Sequence, residues 1–111
     1  MSSFLPALGP YMPEASTSNI TLVAASLTSV QLLAVNYSRR GITICNFQGS
    51  VGTSNMYVSL GSGAASTSSF TFLLAPNAQL TVPQPLNWQG AVFAIWDGTP
   101  SGSALITEFS Q

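Results

Sequence analysis

A chain of 111 residues with 46% hydrophobic side chains can form one packed domain, yet only 5% of it is charged and the formal net charge is -1. The charges are Glu14, Arg39, Arg40, Asp97 and Glu108, and Lys and His are absent. That composition argues against nucleic-acid binding, which needs cations for phosphates, and excludes lysine Schiff bases and histidine-dependent catalysis.

Two distant acids do not make a hard-cation site, so no enzyme, metal or cofactor is expected. The polar surface has to be built from Ser, Thr, Asn and Gln. With little charge repulsion between copies, such a surface suits a protein that works against neighbours. No secretory leader is evident at Met1 to Phe4 and no apolar stretch is long enough for a membrane helix, so neither export nor a membrane partner is expected.

Residues 1–18 carry Pro6, Pro10 and Pro13, which oppose both helix and central strand. Phe4, Leu5, Leu8, Tyr11 and Met12 lie between them. This predicts an extended arm that packs on its own domain or docks on a neighbouring subunit, with a β domain over 19–111. Ile20 to Ala25 and Val30 to Val35 read as strands rather than a helix, because β-branched residues recur and no cap precedes them.

Arg39 and Arg40 precede Gly41-Ile42-Thr43-Ile44-Cys45-Asn46, in which Ile42 and Ile44 share one face while Thr43 and Cys45 take the other. Cys45, the sole cysteine, reads as a buried thiol acting as a small hydrophobe. The arginines are candidates for a partner's carboxylates, or one of them for Glu108. Because adjacent strand residues point to opposite sides, their roles should be unequal.

Alternation resumes at Met56 to Leu60, at Phe70 to Leu74 and at Leu80 to Val82, where Pro83 and Pro85 end the run. Trp88 lies in a loop beside Asn87 and Gln89 and is a candidate sugar-stacking platform, whereas Trp96 belongs to a run opened by Gly90, in which Val92, Ala94 and Trp96 oppose Ala91, Phe93 and Ile95, and should be core. That run is apolar on both faces, so it should be central or covered by a partner.

The turn cluster Asp97 to Gly102 leads to a last strand, Ser103 to Phe109, expected to form a hairpin with the run before it. Such a hairpin could bring Asp97 near Glu108 as a glycosidase-like pair, but an Asp before Gly more often caps its own backbone. About eight short strands between Gly, Pro, Ser and Asn clusters predict an all-β fold, a sandwich, jelly roll or Greek-key barrel, with the strand order left open.

The residues Asn36-x-x-Arg39-Arg40-Gly41-Ile42-x-Ile44-x-Asn46, Tyr57-Val58-x-Leu60-Gly61, Leu74-Ala75-Pro76, Gly90, Ile95-Trp96, Gly102-x-Ala104 and Thr107-Glu108 resemble small β-domain structural proteins of tailed bacteriophages. The resemblance covers residues 36 to 109. In length and Pro-rich start the chain is similar to the cement, or staple, proteins on capsids of epsilon-fifteen-type Salmonella phages. This resemblance implies a jelly-roll-like domain, dimeric, on the outside of a shell made by a separate major capsid protein. It implies a mechanical role, with no catalytic residue and no small-molecule ligand. A tail- or fibre-associated carbohydrate-binding module is the alternative.

Overall fold

The computed structural model describes residues 15–61, 63–82 and 87–111. It is an all-β sandwich of eight antiparallel strands: β1 Thr17–Ala24, β2 Val30–Leu33, β3 Arg39–Phe47, β4 Met56–Leu60, β5 Phe72–Leu74, β6 Gln79–Val82, β7 Val92–Trp96 and β8 Ser103–Ser110. One sheet has the order β1-β8-β3-β6 and the other β2-β7-β4-β5.

First pairs with eighth, second with seventh, third with sixth and fourth with fifth. That nesting is a long hairpin rolled up so that successive pairs fall in alternate sheets, a jelly roll, one of the topologies the strand count left open. The boundary of the arm moves: β1 begins at Thr17, so Thr17 and Ser18 belong to the domain, where backbone pairing with Ser110 and Phe109 holds them.

The core is the inner face of both sheets. Ile42, Ile44, Ala104 and Ile106 from the first sheet meet Met56, Val58, Val92, Ala94 and Trp96 from the second, all essentially without exposed surface. Period-two alternation explains it: opposite residues in an antiparallel pair share a face, and the register sets Ile44 against Ile106 and Met56 against Trp96.

The expected hairpin of the last two strands does not form. β7 lies between β2 and β4, whereas β8 lies between β1 and β3 in the opposite sheet. The connection spans residues 97–102, with Gly98 at φ 63° and Gly102 at φ 77°. Its length allows the chain to step across a sandwich about 10 Å thick rather than fold back beside itself.

Asp97 and Glu108 are therefore not a pair. Asp97 accepts from the backbone N–H of Asn55 (2.9 Å), the Asn55 amide (3.1 Å) and the Tyr57 hydroxyl (3.0 Å). Glu108 faces Arg39 at the other end of the sandwich.

Candidate functional site

Each end of the sandwich is closed by a polar clamp that joins the sheets. At one end the ladder slips between Arg39 and Gly41, so β3 carries an extra residue opposite β8. The slip turns Arg39 inward, to zero exposure. Its Nε donates to Glu108 Oε2 at 2.7 Å, Nη1 to the carbonyls of Trp88 (2.9 Å) and Gly90 (2.7 Å), and Nη2 to the carbonyl of Ala34 (2.6 Å). One guanidinium thus ties β8 to the ends of two chain segments of the opposite sheet, and Asn36 adds a bond to the same Glu108 oxygen at 3.1 Å.

The assignment of Arg39 as a partner contact is corrected by this burial: its donors are used inside the chain, and desolvating an arginine is tolerable only with such partners. Arg40 is half-buried, bonded to its neighbour's carbonyl (3.0 Å) and to the side chain of Gln111 (2.7 Å), and is the arginine that reaches the rim.

At the opposite end Asn46, also without exposure, donates to the carbonyls of Ser54 and Leu74 (2.9 Å each) and accepts from Gln48 (2.8 Å) and the Trp96 indole (3.2 Å). Gln48 in turn donates to the Ser101 carbonyl (2.6 Å) and accepts from the Ser101 hydroxyl (2.7 Å). Sequence reasoning assigned this clamp no role. Its signal was a polar residue in phase with Ile42 and Ile44, a core position that only a fully bonded amide can occupy.

Trp88 is half-buried. Its indole N–H donates to the carbonyl of Ala91 (2.9 Å), and its ring lies so close to Gly90 that a Cβ at position 90 would strike it. With Val35, Gly61, Gly90, Ala91 and Phe93 it lines a groove of about 320 Å³ that is predominantly apolar. Phe4, Leu5, Leu8, Tyr11 and Met12 lie outside the described residues.

Of the exposed large apolar residues, Ile20, Leu22, Phe47 and Phe109 stand on the outer face of the β1-β8-β3-β6 sheet. Since Thr21, Ile106, Ile44 and Leu80 form one inward row, the flanking rows turn outward: Ile20, Thr107, Thr43 and Thr81, then Leu22, Leu105, Cys45 and Gln79. Phe109 and Phe47 stand on the rows beyond. These rows carry no charge, and Arg40 stands at their rim.

Ile20 is 68% exposed, Leu22 61% and Phe47 50%, an apolar character unusual for a solvent-facing sheet. Cys45 belongs here rather than in the core: it is only partly covered, because its phase is that of Thr43. Among the described residues no group of three potential metal ligands occurs. No protein-family model, curated protein or solved structure matches the chain.

Proposed function

We propose that this chain is a cement protein of a tailed-bacteriophage capsid, one that binds the assembled shell of a separate major capsid protein and stabilises it. The observation that carries the reading is the outer face of the β1-β8-β3-β6 sheet, partly apolar and without charge inside its Arg40 rim. A face of Thr, Leu, Ile and Phe with no ions to desolvate among its central rows suits repeated docking on a lattice, at roughly 800 Å² per contact. The resemblance of the Asn36 to Asn46 and Thr107-Glu108 segments to virion proteins supports the same reading, and jelly rolls recur among capsid components. A ligand that binds only the finished shell stabilises it by mass action, and many weak contacts add up.

Shells assembled without the protein should have normal geometry but release their genome at lower temperature, and added protein should restore the difference. Phe47→Asp and Thr43→Asp, which charge the face away from its edges, should abolish co-sedimentation with shells while leaving the fold intact by circular dichroism. Identical release curves with and without the protein would reject the cement role.

The groove beside Trp88 favours a second reading, a carbohydrate-binding module of a tail or fibre. Quenching of tryptophan fluorescence by host surface polysaccharide, lost in Trp88→Ala, together with failure to bind shells, would select it.

A further inference from the structure

Four strands end the two sheets, and three of them are poor templates for further pairing. β6 has four residues and β5 three, while β2 has four with a register slip between Gln31 and Leu33. Short or irregular edges are how folded domains avoid joining one another. β1 differs: its eight residues, Thr17–Ala24, contain no charge, no proline and no slip against β8. An edge of that length without any such device is a site of strand addition.

The ladder shows which backbone groups β1 presents. The amide of Ala25 bonds the carbonyl of Gly102 (3.1 Å), continuing the register in which Ala24 faces Ser103. Hydrogen-bonded pairs alternate along an antiparallel ladder, so Thr21 and Val23 turn their N–H and C=O groups to β8. Ser18, Ile20, Leu22 and Ala24 turn theirs outward. Two strands over, the amide of Asn46 bonds the carbonyl of Ala78 (2.9 Å), the phase this alternation requires across the sheet.

We infer that β1 pairs antiparallel with β1 of a second copy, about a two-fold axis at Thr21, joining two sheets into one. A centre at Thr21 sets Ile20 opposite Leu22 of the other copy and Ser18 opposite Ala24. Every outward amide and carbonyl from Ser18 to Ala24 then finds a mate, and Ile20 and Leu22, the most exposed apolar residues of the strand, become cross-strand neighbours on the same face. The contact is isologous, so it closes at two copies. It brings no like charges together, because β1 has none. The competing occupant of this edge, the chain's own residues 1–14, carries Pro6, Pro10 and Pro13, each lacking the N–H that a ladder needs.

The test uses the full chain in solution without shells, so its result is independent of the cement reading. Sedimentation equilibrium should give twice the 11.6 kDa of one chain. Ile20→Pro deletes only an outward amide and should weaken self-association by about tenfold or more with unchanged circular dichroism. If that variant unfolds, Leu22→Lys, which leaves the backbone intact, decides the same point. Thr21→Cys should form an intermolecular disulfide under mild oxidation, since non-hydrogen-bonded pairs bring Cα atoms to about 4.5 Å. Ser18→Cys, far from its mate, should not. A monomeric wild type at ~100 µM, equal crosslinking of the two cysteine variants, or an undiminished dimer in the folded Ile20 or Leu22 variant would overturn the inference.

Discussion

Removing Glu108 while keeping Arg39 would leave a guanidinium with no exposed surface facing a methyl group. Glu108→Ala should therefore cost about 3–5 kcal/mol in urea unfolding, whereas Arg40→Ala, at the rim, should cost less than about 1 kcal/mol. Replacing Arg39 and Glu108 together by apolar residues should not restore stability, because the carbonyls of Ala34, Trp88 and Gly90 would then lose their donor.

Asp97 makes a pH prediction. The Asn55 backbone N–H holds its carboxyl below the ordinary value against partial burial, with the Asn55 amide and Tyr57 hydroxyl assisting. Its stabilising contribution is thus present above the unfolded value near 3.8 and is lost as pH falls through the lower folded value. Thermal midpoints should decline below about pH 4, and Asp97→Asn should flatten that part of the profile. On the alkaline side, the Tyr57 phenol is raised above 10.0 by donating to Asp97, so its contribution is present below pH 10 and fades above it. That one arginine would pair with Glu108 was readable from composition, since so few ions are available. Which one was not: strict alternation puts Arg40 in phase with Ile42, and the slip before Gly41 exchanges the two.

At the level of elements, strands were legible wherever apolar side chains alternate with polar ones, as in β3 and β4. Their ends were less so. Phe70 was expected within a strand but lies outside β5, its ring set edge-on to Tyr57 at 5.0 Å. β2 stops at Leu33 instead of Val35, where the chain turns toward the Arg39 clamp. The turn at 97–102 was visible from its Gly, Pro and Ser residues, but local turn chemistry does not say which sheet receives the next strand, and the hairpin expectation failed there.

The same turn offers a contrast between its two positive-φ glycines. A Cβ at Gly98 meets nothing, so Gly98→Ala should cost only the backbone term, about 1 kcal/mol. A Cβ at Gly102 would collide with the Phe47 carbonyl and the Gln48 amide, so Gly102→Ala should cost about 2–4 kcal/mol and loosen the Asn46 clamp. Parallel denaturant melts of the two variants check the difference.

Across the whole molecule, the nested pairing joins distant parts of the chain, Thr17 with Ser110 at the extreme. Little can form from local contacts alone, so refolding should take milliseconds to seconds, readable from a stopped-flow chevron. Composition and periodicity disclosed the sandwich class, while the rolled order of strands rests on tertiary packing that no short window encodes. That order also has a biosynthetic consequence. β8 lies between β1 and β3, so during translation β1 has no neighbour in its sheet until residues 103–110 have emerged. A nascent chain stopped before Ser103 would display Val23, Ile42 and Ile44 without their full cover and would depend on chaperones. Ribosome-bound chains of increasing length should thus stay protease-sensitive and become resistant in one step, as the final strand closes the sheet.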